Sequence, residues 1–238
     1  MSYVCFQPCI NVVALQGGGM QRFHDTLSGP AERAILRYLC QRLPMWATSD
    51  GLTALGLVGA AVTCLSYWLA NHDPAYLWLA IAGLVINWLG DSLDGSLARF
   101  RKLERPQYGF FLDHSVDAFA MAFIAIGIGL SPQAQLGCAL AVLVAYYLMV
   151  ILSMATCLAT GVFRVSYGGV GPTEIRLVIV LCTLAAILLP TPSFTVAANQ
   201  FSIYDVTLMV VSAALLVAAA VQTCLTANSL AKIDPPRR

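Results

Sequence analysis

Charge is what this chain has least of. Only 11% of its 238 residues are charged, against about 25% in an ordinary soluble domain. Hydrophobic residues make up 59% and mean hydropathy is +0.77, so the chain is expected to be an integral membrane protein. A net charge of +1 gives no electrostatic reason to expect a nucleic-acid partner. No CxxC pair occurs. The eight cysteines are scattered and read as small buried hydrophobes rather than disulfides or metal ligands. Only Cys5 and Cys9 are close enough to raise metal binding or lipidation as an alternative. The first 19 residues carry no Lys or Arg, so the basic start of a secretory signal is missing. There is no internal repeat, low-complexity tract or heptad run.

Residues 1–29 are mildly apolar, break at Gly17-Gly18-Gly19 and are too interrupted to span a bilayer. They are expected to be a disordered N-terminal segment, and Met20 is a second candidate start. Residues 30–46 are expected to form an amphipathic helix. Pro30 and Glu32 suit its first turn, and Ile35, Leu36, Leu39, Cys40 and Leu43 share a face away from Arg33, Arg37 and Arg42. That pattern fits a helix lying in the membrane interface; the alternative is a helix packed against a cytoplasmic surface.

Six apolar segments follow, near 51–70, 75–98, 110–130, 135–161, 174–190 and 204–230. Each is close to the ~20 residues that cross a hydrocarbon core. All 13 Lys and Arg residues fall on one side of a six-span arrangement, and the other three connections have none. The positive-inside rule then makes that side cytoplasmic, which in a bacterial cell means the inner membrane. The expected fold is therefore all-α: an interfacial helix, a six-helix transmembrane domain over 47–231 and a cytoplasmic tail over 232–238. The small-residue patches at 56–61 and 126–130 are places where helices can approach closely, or ordinary membrane-helix composition.

Against this scarcity, Asp91–Asp117 holds four aspartates, a histidine and two glycines. Asp91 and Asp94 are three apart near the end of the second span; Asp113 and Asp117 are four apart near the start of the third. Both spacings put a pair on one helix face. The short connection places the two helices side by side and antiparallel. Ionisable side chains in a membrane span mark function by default. Four neighbouring carboxylates need a cation, and hard oxygen ligands suit Mg²⁺, Mn²⁺ or Ca²⁺. Four aspartates suffice to bridge two such ions, an arrangement that serves phosphoryl chemistry. Gly95 and Gly109 let a flat ligand approach the backbone, and Arg99 can pair with a phosphate or an aspartate.

The pattern D-x-x-D-G-x-x-A-R…G-x-x-x-D-x-x-x-D, carried by Asp91, Asp94, Gly95, Ala98, Arg99, Gly109, Asp113 and Asp117, resembles the signature of the CDP-alcohol phosphotransferases. Nine residues lie between Arg99 and Gly109, where that family usually has one fewer. The resemblance implies six transmembrane helices after an interfacial helix, commonly a homodimer, and residues 43–57 look like the family's approach to its first span. It implies that two divalent ions, Mg²⁺ or Mn²⁺, bind a CDP-linked alcohol through its pyrophosphate. A hydroxyl acceptor then takes the phospho-alcohol group and CMP is released. By the same resemblance Asp91, Asp94 and Asp113 are metal ligands, Asp117 is a further ligand or the general base, and Gly95, Ala98 and Gly109 make room for the cytidine.

His114, in Asp113-His114-Ser115-Val116-Asp117, is similar to the histidine of the choline and ethanolamine phosphotransferase branch. It is a candidate base or a plain helix-surface residue. Gly171-Pro172-Thr173-Glu174 and Arg176 also resemble a Gly- and Glu-bearing family stretch. Glu174 is expected to touch a headgroup or a metal ligand and Arg176 a phosphate, with helix capping as the favoured alternative. Asn87 is either a polar partner of Asp91 or a helix–helix hydrogen bond. His72, Asp73 and Asp205 are expected to be solvated at the opposite face. Two substrate layouts remain: CDP-choline or CDP-ethanolamine with diacylglycerol, slightly favoured by His114, or CDP-diacylglycerol with a small polar alcohol. A cation transporter or channel is the competing class, but its acidic residues would be spread through the bilayer rather than gathered at one face.

Overall fold

A computed structural model describes residues 22–23, 29–160, 163–164, 172–190, 192–196 and 199–233. The expectations for Cys5, Cys9, Met20, Gly171 and the tail beyond 233 lie outside these residues. Seven helices carry the described chain: α1 (Gly29–Arg42), α2 (Ser49–Leu69), α3 (Tyr76–Phe100), α4 (Pro106–Leu130), α5 (Leu136–Thr160), α6 (Pro172–Leu188) and α7 (Ile203–Ile233). A parallel contact pairs β1 (Arg22–Phe23) with β2 (Phe163–Arg164). A hairpin of β3 (Ser193–Val196) and β4 (Asn199–Ser202) joins α6 to α7. The chain is an all-α membrane protein. Helices α2, α3, α4, α5 and α7 are long and apolar enough to cross a membrane. The fifth expected segment, 174–190, is helical but has only 17 residues in α6, at the short end of the roughly 17–25 that a span uses.

Local chemistry sets the helix boundaries. Thr48 caps α2, its hydroxyl accepting from Gly51 N at 3.1 Å. At the end of α3, Lys102 adopts φ 57°, Leu103 N bonds Ala98 O at 2.9 Å and Lys102 N bonds Arg99 O at 3.1 Å. This paired closure turns the chain sharply out of the helix. Pro106 then occupies the first turn of α4, where its missing N–H costs nothing. The extra residue in the motif is thus absorbed by a short, well-closed turn.

Helix α2 packs between α3 and α4, α5 packs on α4 and α7, and α3 also meets α1 and α6. The α2–α3 contact is a seam built on glycines, where backbone meets backbone. A Cβ on Gly59 would sit 2.6 Å from Asn87 N, and one on Gly90 would strike the Gly56 backbone. Gly127 of α4 approaches Cα of Cys64 just as closely, so both small-residue patches are close-approach surfaces. Leu36 and Cys40 of α1 pack on Leu52, Leu93 and Leu97, whereas Ile35 stays exposed. Burial pushes the Cys40 thiol pKa up. Deeper in the bundle, Ala60, Leu84, Ala120 and Ile124 form a second cluster against Ile179 and Val180 of α6.

One expectation fails here. Asp205 is not solvated but 2% exposed. Its Oδ1 accepts from Gln135 N at 2.6 Å and its Oδ2 from Ser202 N at 2.9 Å, while Ser202 Oγ accepts from Asp205 N at 3.1 Å. The carboxylate thereby satisfies backbone donors at the starts of both α5 and α7, which justifies its burial. His72 and Asp73 are exposed as expected.

Candidate active site

The antiparallel pair α3–α4 carries the four aspartates, and the fold separates them into three and one. Carboxylate oxygens of Asp91, Asp113 and Asp117 all lie within 4.8 Å of one another. They line a small cavity with Thr53, Gly56, Asn87, Val116 and Ala120. Asp94 points elsewhere. Its Oδ2 accepts from Thr53 Oγ1 at 2.6 Å and its Oδ1 from Gly95 N at 2.5 Å, and Ser49 Oγ donates to its carbonyl at 2.9 Å. The i,i+3 relation to Asp91 puts Asp94 on the same face, but its side chain turns towards α2.

Arg176 reaches the cluster from α6. Its Nη1 lies 2.5 Å from Asp91 Oδ2 and its Nη2 lies 3.4 Å from Asp117 Oδ1, with the side chain 3% exposed. The Thr173 hydroxyl donates to Glu32 of α1 at 3.0 Å. Glu174 is half-buried in the first turn of α6. Asn87 settles as a helix–helix bond, Nδ2 donating to Gly56 O at 2.9 Å. This fixes the amide orientation, and Asn87 Oδ1, buried, has no hydrogen-bond partner among the described residues.

The donor set fits a hard divalent cation. Every cluster ligand is a carboxylate oxygen, and an orphaned amide oxygen belongs to a residue lining the same cavity. Arg176 supplies one positive charge against three carboxylates; a bound cation would supply the rest.

Around the cluster, Gly95 and Ala98 are half-buried and Arg99 is exposed on the last turns of α3. The Arg99 guanidinium folds back over Gly95, with Nη1 3.3 Å from where a Cβ would stand, and Nη2 donates to Ser96 Oγ at 3.3 Å. Gly109 is exposed at the start of α4, and a Cβ there would meet nothing within 4 Å. Beside it Arg105 bonds both oxygens of Asp50, at 2.5 and 2.7 Å, and this contact raises the guanidinium's pKa above its usual value. His114 Nδ1 lies 2.8 Å from Phe110 O, and the rings are 4.2 Å apart. A carbonyl needs a donor, so Nδ1 carries the proton and Nε2 is the basic nitrogen of the neutral ring.

Two contributors were not read from the sequence. Thr53, which holds Asp94, looks like any threonine of a membrane helix. Glu32, the acceptor of Thr173, reads in the sequence only as an acid suited to a first helical turn. Neither has a sequence signal beyond being polar in an apolar setting.

A family model for CDP-alcohol phosphatidyltransferases matches residues 46–227, including the entire α3–α4 motif. The chain belongs to the CDP-alcohol phosphatidyltransferase family. Among curated proteins it is similar to cholinephosphotransferase 1 of Homo sapiens, 31% identical over 102 residues, which is 40% of this chain and 25% of the relative. It is also similar to the Danio rerio protein of that name, 32% identical over 96 residues, covering 38% and 25%. The Bos taurus protein is 28% identical over 156 residues, covering 60% and 37%. The chain thus spans a quarter to little more than a third of the length of these relatives.

Proposed function

We propose that this protein is a membrane phosphotransferase of phospholipid synthesis. It moves a phospho-alcohol group from CDP-choline or CDP-ethanolamine to the hydroxyl of diacylglycerol, with release of CMP. The observation that carries the reading is the convergence of Asp91, Asp113 and Asp117 within 4.8 Å in the family's own motif. The similarity to cholinephosphotransferases favours a choline-type donor. The placement of Arg33, Arg37, Arg42, Arg99, Arg101, Lys102 and Arg105 around the same end of the bundle supports a cytoplasmic site that water-soluble nucleotides can reach.

Asp91, Asp113 and Asp117 would hold divalent metal, and Asp94, turned to Thr53 in this structure, would join them for a second ion by turning back toward the cluster. Mg²⁺ or Mn²⁺ bound there would neutralise the pyrophosphate and stabilise the departing oxygen. The residues do the rest. Gly95, Ala98 and Gly109 leave room for the cytidine. Arg99, exposed beside Gly95, is placed to meet a phosphate oxygen. His114 Nε2 takes the proton of the acceptor hydroxyl. The acceptor oxygen bonds to the phosphorus bearing the alcohol, the bond from that phosphorus to the bridging oxygen breaks, and CMP leaves with the electron pair. Arg176, buried against Asp91 and Asp117, fixes the orientation of both carboxylates.

The test is direct. Purified protein in lipid–detergent micelles with Mg²⁺ or Mn²⁺ is given radiolabelled CDP-choline or CDP-ethanolamine with diacylglycerol, and separately CDP-diacylglycerol with small polar alcohols. Labelled phospholipid from the first pair is expected. Product only from CDP-diacylglycerol would transfer the assignment to the phosphatidyltransferase layout, and CMP from none would overturn the reading.

A further inference from the structure

One oxygen on α1 ties together two helices of the site. Glu32 Oε1 accepts from Trp88 Nε1 at 3.3 Å, from Ser92 Oγ at 3.0 Å and from Thr173 Oγ1 at 3.0 Å. Trp88 and Ser92 are one turn apart on α3, and Ser92 follows Asp91 directly. Thr173 lies in the first turn of α6, three residues before Arg176, on an adjoining helix face. We propose that Glu32 is a positioning residue: it braces α6 against α3 at the level of the carboxylates and so determines where the Arg176 guanidinium sits.

Three observations carry this. First, the three donors come from α3 and α6, the two helices that the Arg176–Asp91 ion pair also joins at this end. Further along α6, more than two turns past Thr173, the Thr183 hydroxyl meets Tyr67 Oη of α2 at 2.6 Å. Second, bonds from neutral donors to a carboxylate are stronger than neutral pairs, so Glu32 makes a firm junction. Third, a 2.5 Å contact between Arg176 and Asp91 depends on α6 lying at one height and rotation. A first-turn carboxylate on α1 acting only on the helix dipole would need none of these partners.

The effect on turnover rests on the transferase reading; the effect on metal binding does not. The experiment compares full-length wild-type protein with Glu32→Ala and Glu32→Gln in detergent. Free Mn²⁺ is measured by its EPR signal, and CMP release gives kcat and KM. Glu32→Ala is expected to lower kcat about tenfold with little change in KM, since small misplacements at a distance act on the chemical step. It is also expected to bind Mn²⁺ at least about threefold more tightly, because a loosened guanidinium competes less for the carboxylates. Glu32→Gln keeps an acceptor of the same reach and should restore most of both. If Glu32→Ala does not fold, Thr173→Val cuts only the α6 arm and should show the same signature. Unchanged or weakened Mn²⁺ binding would overturn the proposal, as would a Gln variant as altered as the Ala variant. If wild-type protein releases no CMP, the Mn²⁺ comparison still decides.

Discussion

Arg176 and Asp91 meet at 2.5 Å in a setting where the arginine side chain is 3% exposed. A second arm reaches Asp117 at 3.4 Å. The guanidinium is therefore a built-in counter-ion for two of the three clustered carboxylates. Removing one partner of a buried pair costs about 3–5 kcal/mol, because the other charge is left uncompensated. Arg176→Met is expected to lower the thermal midpoint in the presence of a chelator and to regain part of the loss when Mn²⁺ is added. Equal destabilisation with and without Mn²⁺ would separate the arginine from the metal-binding set.

Asp94 differs from its three companions in being 7% exposed and turned to Thr53. Thr53→Val removes the hydroxyl while keeping the shape, and should cost about 1–3 kcal/mol for the carboxylate left without its donor. Asp94→Asn is expected to abolish CMP release while leaving the protein folded. Undiminished turnover in Asp94→Asn would remove Asp94 from the metal site.

His114 has its Nδ1 committed to Phe110 O at 2.8 Å. As general base it should contribute on the order of 10²–10⁴-fold. His114→Gln is expected to show that loss in kcat with Mn²⁺ binding unchanged. A variant with wild-type kcat would pass the base role to Asp117.

At the other end of the bundle, Asp205 joins the starts of α5 and α7. Asp205→Ala leaves Gln135 N and Ser202 N without this acceptor, and should destabilise by about 2–4 kcal/mol. Asp205→Asn keeps one acceptor and should lose roughly half as much. CMP release by the folded fraction should be unaffected; unaltered melting of Asp205→Ala would show that water replaces the carboxylate.

Period and charge made the helices readable in the chain. The segments near 51–70, 75–98 and 135–161 lie within two residues of α2, α3 and α5 at either end. Helix α4 begins four residues before its segment at 110, because Pro106 opens a polar first turn that hydropathy passes over. The motif acids were equally plain, since carboxylates in apolar helices have few structural uses. Partners across helices were hidden. No local feature near Asp205 announces that Gln135, seventy residues earlier, will donate to it. Nor does the i,i+3 spacing reveal that Asp94 turns to Thr53 while Asp91 turns to Arg176. Those choices depend on how α2 and α6 dock on α3, which pattern alone does not encode.

The glycine seam of α2 and α3 has a mechanical meaning. With backbone pressed on backbone at Gly56, Gly59, Gly83 and Gly90, these helices have little slack to take up, and packed interfaces of this kind resist gradual sliding. They form a fixed wall.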